Sequence, residues 1–208
     1  METLKTLADQ ARPGDRIQQG IVVAFFRALS AILSDGTVVR HADGGTLKLT
    51  GPLRFTGRGQ IVVRGTVTIG VLYSPFFLQG VYLEARTPES RLFLDDGVFI
   101  NNGSWIVSEG AGIEIGKRCL IGPQFSCADS NFHDLDVERR SQPDPDPRPV
   151  RIEDDVFIGD GVKVLKGVHV GRGSVIAAGS VLFPGFTCPP NSTVRGNPAV
   201  VARPEAES

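Results

Sequence analysis

The stretch IEDDVFIGDGVKVLKGVHVGRGSVIAAGSVLFPGFT, residues 152–187, repeats with a period of six. An aliphatic residue opens every unit, and glycine holds the fourth position of every unit except the first, where Asp155 stands. The opening residues are Ile152, Ile158, Val164, Val170, Ile176 and Leu182. A helix repeats every 3.6 residues and a half-buried strand every two, so neither accounts for this pattern.

A period of six is expected from a short strand that ends in a turn and is then repeated. Glycine suits such a turn because it has no Cβ to oppose a positive φ. The aliphatic position then points into a shared interior and stacks on the same position of the next coil, about 4.8 Å away. Repeats of this kind are typical of a parallel β-helix, and we therefore predict an all-β solenoid.

A looser six-residue pattern begins near Thr46, and the pattern is interrupted after Ser126 until Ile152. Insertions into repeat proteins form loops on one face, often the binding face, so we expect the functional site in this loop. The predicted segments are an N-terminal leader and helix (1–45), a β-helix domain (46–203) with an inserted loop (127–151), and a disordered tail (204–208).

Composition excludes several classes of protein. The 208 residues carry a formal net charge of −1, which gives the whole chain no electrostatic footprint for nucleic acid. The three cysteines have no metal-ligand spacing and are odd in number, so we expect no disulfide framework and a reducing environment. Without a recognisable signal peptide, the expected location is the cytoplasm.

The N-terminal part contains one predicted helix, Ile17 to Leu33, with apolar residues at helical spacing. We expect it to cover an open end or side of the solenoid and to hide an unpaired strand edge. A helix lying on a membrane surface is the alternative. Arg27 is the only basic residue between Ile17 and Leu33, which does not favour that alternative, since such helices carry a basic polar face.

Five segments give the chain a resemblance to a known family. They are FINNGSWIV (99–107), EIGKRCLIGP (114–123), SNFHDLD (130–136), DDVFIGDGVKVLKGVHVGRGSVIAAGSVL (154–182) and PPNSTVRGNPA (189–199). Residues 99–201 resemble the hexapeptide-repeat acyltransferases, in particular the sugar O-acetyltransferases of the galactoside and maltose type and the capsule and lipopolysaccharide O-acetyltransferases. The resemblance implies a left-handed β-helix, a homotrimer with active sites between subunits, and acetyl-CoA as acetyl donor.

The resemblance also implies roles for residues around the inserted loop. His133 stands where the family has its catalytic base, and Asp129 or Asp134 could orient its ring. Asn101 and Glu109 match positions that contact the acceptor. The alternative for His133 and the two aspartates is a solvated loop, and the alternative for Asn101 is an asparagine stacked inside the coil.

For acetyl-CoA, Asp160 and Ala178 align with positions that contact the cofactor in the family. The chain departs from the family at Phe183-Pro184, where relatives have Thr-Lys near the nucleotide. A basic residue elsewhere would then have to contact the CoA phosphates, and Arg195 is our candidate, with Arg172 and Arg203 as alternatives. The resemblance implies no metal.

The implied chemistry explains why a histidine is needed. A sugar hydroxyl is a poor nucleophile at neutral pH, and an imidazole can take its proton as it attacks the thioester. We therefore predict an O-acetyltransferase that modifies a saccharide of a surface polysaccharide or its precursor, by direct transfer in a ternary complex.

Three alternatives remain open at this point. An N-acetyltransferase would act on the amine of a nucleotide-linked sugar or an antibiotic. A catalytically silent scaffold would use the solenoid only for assembly. A metal hydratase on the same solenoid needs three histidines around zinc, but His41, His133 and His169 are far apart in the sequence.

Overall fold

The computed structural model of the protein describes residues 13–72, 74, 76 and 78–202, and side chains from residue 19 onward. The predicted tail at 204–208 and the first part of the predicted leader lie outside these residues. Helix α1 spans Pro13–Leu33 and so begins four residues earlier than the predicted Ile17. Proline suits the first turn of a helix, where an amide N–H has no intrahelical partner.

The strands form a prism with three faces. Face 1 consists of the first half of β3 (Gln60–Ile69), followed by β5 (Arg91–Leu94), β8 (Ile113–Ile115), β11 (Val150–Ile152), β14 (His169–Val170) and β17 (Thr187–Cys188). Face 2 consists of the second half of β3, followed by β6 (Phe99–Ile100), β9 (Leu120–Ile121), β12 (Phe157–Ile158), β15 (Val175–Ile176) and β18 (Thr193–Arg195). Face 3 consists of β2 (Leu53–Gly57), β4 (Val81–Ala85), β7 (Trp105–Ser108), β10 (Ser126–Ala128), β13 (Lys163–Val164) and β16 (Val181–Leu182).

Two further strands lie at the ends of the prism. β1 (Val39–Leu49) pairs in parallel with β3 and begins before residue 46, where we expected the solenoid to start. β19 (Val200–Val201) pairs antiparallel with β18 at the other end. Two short 3-10 helices, Gly36–Val38 and Val137–Arg139, lie in connections between strands.

The register confirms the predicted left-handed β-helix. Ile158 pairs with Ile176 and Ile176 with Val194, so each coil takes 18 residues, or three six-residue units. All six opening aliphatic residues of the repeat are buried in one continuous core. The glycines at the fourth position have positive φ, as predicted.

Asp155, the exception at the fourth position, adopts the same backbone conformation, with φ of 61°. Aspartate tolerates the left-handed region better than most residues. Its carboxylate also accepts two hydrogen bonds from the Arg118 guanidinium, at 2.6 and 2.7 Å. The turn therefore keeps its geometry without glycine.

Helix α1 covers the free edge of β2, as expected. The Ser30 hydroxyl accepts a hydrogen bond from the Leu53 amide at 3.0 Å, and the Ser34 hydroxyl accepts one from the Phe55 amide at 3.0 Å. These bonds satisfy backbone groups that a neighbouring strand would otherwise pair. Within the described part of the chain, no helix has the length and apolar character needed to cross a membrane.

We predict that Ile152→Ala lowers the free energy of unfolding by about 2–5 kcal/mol, because Ile152 is fully buried and its truncation leaves a cavity. The matched control is Ile32→Ala, since Ile32 is 80% exposed on α1. That control should change stability by less than about 0.5 kcal/mol in urea unfolding. Equal losses for the two variants would contradict the assignment of the core.

Candidate active site

The inserted loop, residues 129–149, connects β10 on face 3 to β11 on face 1. We call the connections from face 3 to face 1 the 3–1 corner; it also contains residues 86–90, 109–112 and 165–168. The prediction of a loop at 127–151 is close, although both ends of that range belong to strands. The loop therefore leaves the prism at one corner, where three neighbouring coils can hold it.

Asp129 anchors the start of the loop. Its buried carboxylate accepts hydrogen bonds from the Ser108 hydroxyl at 2.8 Å and from the amides of Glu109 and Gly112 at 2.6 Å each. All three donors belong to the preceding coil. Asp129 thus fixes the point at which the chain leaves the solenoid.

A buried ion pair anchors the second half of the loop. Lys166 Nζ donates to both carboxylate oxygens of Asp144, at 2.7 and 3.0 Å, and to the Asp146 carbonyl at 2.7 Å. Burial acts to raise the pKa of Asp144, but hydrogen bonds from the Asn131 amide, Lys166 and the Asp146 amide lower it below its ordinary value. The hydrogen bonds that Lys166 donates offset the desolvation cost of burying this ion pair.

A chain of polar contacts joins the first residues of the loop to the preceding coils. The Ser130 hydroxyl donates to Glu109, and Glu109 also accepts from the Arg86 guanidinium at 3.2 Å. The Arg86 guanidinium lies 4.7 Å from the centre of the Phe132 ring. Arg86 also pairs with Glu84 through two bonds, at 2.9 and 3.0 Å.

His133 follows Phe132 and is exposed. Its neighbours on both sides are held: Phe132 has φ of 65° and its amide donates to Ser130 Oγ at 2.8 Å, while Asp134 is buried. Among the described residues, none forms a hydrogen bond with the His133 ring. The loop therefore presents an unengaged imidazole from a fixed backbone.

The two candidate orienting carboxylates are engaged with other groups. Asp134 accepts from the Asp136 amide at 2.9 Å and from Arg139 Nε at 2.7 Å. The hydrogen bond from the Asp136 amide, and then the one from Arg139, lower the pKa of Asp134. Asp129 holds the preceding coil. In this structure both residues shape the loop that carries His133 and neither contacts its ring.

The candidate cofactor residues lie together at another edge of the prism, which we call the 2–3 corner (residues 101–104, 122–125, 159–162 and 177–180). Asp160 and Ala178 occupy equivalent positions on successive coils, and both are exposed. Arg195 ends β18 on the next coil and is also exposed. The structure thus brings these three residues into one line along the corner.

The two candidate acceptor residues are separated. Glu109 lies beside the inserted loop at the 3–1 corner, whereas Asn101 lies at the 2–3 corner, where its Oδ1 accepts from the Asn102 amide at 2.7 Å. Asn102 is the asparagine buried inside the coil, bonded to Val71. The strands of face 3 therefore lie between the candidate base and the candidate cofactor residues of one chain.

Sequence reasoning missed the ion pair that holds the second half of the loop. Lys166 occupies the third position of its unit, where Asp154, Asp160 and Arg172 also stand, so a charge there is typical of a surface turn. Asp144 lies in the run PDPDP, which gave no reason to choose one aspartate over the next. Their pairing depends on the path of the loop across the corner.

Other reactive groups are protected. Burial raises the pKa of Cys119 to about 12 and also raises the pKa of Cys127, so both thiols stay protonated at neutral pH. All three cysteines are free and buried. Across residues 13–72, 74, 76 and 78–202, no cluster of three or more His, Cys, Asp or Glu side chains could hold a metal ion.

Comparison with known proteins agrees with this architecture. Residues 149–184 match the family described as bacterial transferase hexapeptide (six repeats). A hexapeptide-repeat-containing acetyltransferase from Vibrio cholerae O1 biovar eltor, solved with acetyl coenzyme A, is 33% identical, with a TM-score of 0.55 over 68% of this chain and 69% of that one. No curated protein matches the chain.

Two polysialic acid acetyltransferases share the fold. The polysialic acid-specific acetyltransferase NeuO is 20% identical, with a TM-score of 0.50 over 80% of this chain and 87% of its own. The polysialic acid O-acetyltransferase OatWY is 17% identical, with a TM-score of 0.53 over 82% and 83%. On the strength of the Vibrio relative, the present chain belongs to the hexapeptide-repeat acetyltransferases.

We predict that Lys166→Met destabilises the protein by about 3–5 kcal/mol, because it leaves the Asp144 carboxylate buried without its cation. Amide hydrogen exchange should also accelerate within residues 129–149. The matched control is Lys163→Met, which removes an exposed lysine from the neighbouring strand and should cost less than about 0.5 kcal/mol. If Lys166→Met and Lys163→Met had equal stabilities and equal amide exchange rates, the ion pair would not hold the loop.

Proposed function

We propose that the protein is an acetyl-CoA-dependent O-acetyltransferase that acetylates a saccharide hydroxyl, with His133 as general base. The observation that carries the proposal is the presentation of His133: its flanking residues are fixed, and its ring is exposed and unengaged. A base must be free to accept the proton of an incoming hydroxyl, and such a base typically contributes about 10²- to 10⁴-fold to the rate.

The reaction needs one base and no covalent enzyme intermediate. The imidazole takes the hydroxyl proton while the hydroxyl oxygen attacks the thioester carbonyl. The tetrahedral adduct then breaks its carbon–sulfur bond, and the imidazolium returns the proton to the CoA thiolate. The raised pKa values of the buried Cys119 and Cys127 support direct transfer, since neither thiol would serve as an acyl carrier.

The 2–3 corner is our proposed groove for acetyl-CoA. A Cβ added at Gly159 would lie 2.6 Å from the Ala178 amide nitrogen, so side chains are excluded and the backbones of successive coils lie close together. Within the described chain, no acceptor is bonded to the amide N–H of Asp160 or Ala178. These groups can bind the amide carbonyls of the pantetheine arm, and Arg195 supplies a cation for the phosphates.

The separation of the two corners supports a trimer with shared sites. In a ring of three prisms that touch through faces 1 and 2, the 2–3 corner of one subunit meets the 3–1 corner of the next. Face 2 carries an outward row of apolar side chains on successive strands, Leu120, Phe157 and Val175, each 41–50% exposed. Exposed apolar patches of this kind mark protein interfaces.

The acceptor is a saccharide in this proposal. Two of the acetyltransferases with the same fold have polysialic acid in their names, although their low identity carries only the fold. Glu109, beside the loop of His133, gives the site a carboxylate that can accept hydrogen bonds from sugar hydroxyls. If the acceptor is an amine and not a saccharide, assays with a panel of saccharides and amines would show it.

We expect free-thiol release from acetyl-CoA to depend on a saccharide acceptor and to fall about 10²- to 10⁴-fold in His133→Ala, because the proton then has no acceptor. The KM for acetyl-CoA should not change. His41→Ala is the matched control, since the exposed His41 lies on β1 at the N-terminal end of the prism, where its ring bonds to the Gly45 carbonyl, and its loss should leave the rate unchanged. A His133→Ala rate equal to wild type would remove His133 as the base, and turnover with amines alone would replace the saccharide.

A further inference from the structure

Face 3 carries two aromatic side chains side by side on its outer surface. Tyr82 on β4 and Trp105 on β7 are register partners in parallel strands, so their side chains point outward about 4.8 Å apart. Trp105 is 38% exposed. We call this pair the aromatic platform. Arg54, the register partner of Tyr82 on β2, places its guanidinium 6.0 Å from the centre of the Tyr82 ring.

The aromatic platform is connected to the candidate base by a row of polar side chains. Along β4 the outward positions continue from Tyr82 to Glu84 and then to Arg86. The Tyr82 hydroxyl donates to Glu84 at 3.0 Å, and Glu84 pairs with Arg86. Arg86 packs on Phe132, next to His133. The row therefore runs from the aromatic platform to the 3–1 corner, about 13 Å along the strand.

We propose that the aromatic platform is a binding subsite for a saccharide chain whose acetylated residue lies at His133. This proposal rests on the proposed function and extends it from a sugar to an oligomeric or polymeric acceptor. Aromatic rings offer flat apolar faces for the C–H surfaces of sugar rings, and the paired Glu84 and Arg86 offer both acceptors and donors to their hydroxyls.

The position of the aromatic platform favours a saccharide chain over a single sugar. The distance from Tyr82 to Arg86 exceeds the length of one sugar ring, so one ring cannot contact both the aromatic platform and His133. In the trimer proposed above, face 3 is the face that points away from the other subunits. A polymer can therefore lie across it from the 3–1 corner.

Charge on face 3 is compatible with neutral and acidic chains. Glu84 and Glu109 are both paired with Arg86. Arg54 precedes the aromatic platform in the outward row, and Lys163 follows it two strands further on. An acidic chain would gain from these two cations, and a neutral chain would rely on stacking. The experiment therefore compares both.

Trp105 is the only tryptophan in the chain, so tryptophan fluorescence emission reports directly on the aromatic platform. The probes are maltohexaose, chitohexaose and the hexamer of α2,8-linked sialic acid, each beside its monomer. We expect at least one hexamer, and not its monomer at equal concentration, to give a saturable change in Trp105 emission. Tyr82→Ala should weaken that binding about tenfold by removing one stacking face.

Kinetics give the second readout. Trp105→Ala should raise the KM for the hexamer about tenfold without raising the KM for acetyl-CoA, and Trp105→Phe should restore most of the loss. If hexamers are acetylated with dependence on His133 but neither Trp105 emission nor Trp105→Ala kinetics respond, the aromatic platform is wrong and the proposed function stands. If emission responds and no saccharide is acetylated, the aromatic platform binds saccharide chains, but the proposed function is wrong and so is the placement of an acetylated residue at His133. If no hexamer changes emission or is acetylated but a monomer is acetylated, the aromatic platform is wrong and the proposed function stands; if no saccharide of either length binds or is acetylated, both are overturned.

Discussion

The structure depends on one constraint: the aliphatic residue that opens each six-residue unit must be buried against its equivalents in the coils above and below. Ile158, Ile176 and Val194 satisfy it on face 2, and the same rule repeats on the other faces. Stacked coils expose only their outward positions and their turns. Every functional group that we discuss therefore lies on a turn, in the inserted loop or at an outward strand position.

The inserted loop shows how a regular scaffold holds an irregular segment. The preceding coil holds Asp129. The following coil holds Asp144 through Lys166, which occupies the repeat position where a charge is typical of a surface turn. A buried ion pair contributes little net stability, but breaking it is costly. The pair between Lys166 and Asp144 therefore suits a loop that must keep one conformation. The result is a loop whose backbone is fixed on both sides of His133 while the His133 ring stays free.

The fold could be predicted from residues 152–187 because burial of a six-residue repeat admits few arrangements. Helix α1 was predicted too, but its start and the start of β1 were not, since Pro13 and Val39 lie where no repeat defines the boundary. The location of the candidate site was predicted from the interruption of the repeat. Its supporting contacts were not, because Arg86, Glu109, Asp144 and Lys166 meet only once the coils are stacked. The same holds for Tyr82 and Trp105, which are 23 positions apart in sequence and adjacent in register.

The central claim is that the base and the cofactor groove of one site come from different subunits. The most direct test mixes two inactive variants, His133→Ala and Ala178→Trp, the second of which fills the 2–3 corner with a bulky side chain. Random co-assembly of a cyclic trimer should recover about a quarter of the wild-type sites, since a site then needs His133 from one variant and Ala178 from the other. Recovery near that level is the predicted result. No recovery in verified mixed trimers would place the whole site within one chain and contradict the account.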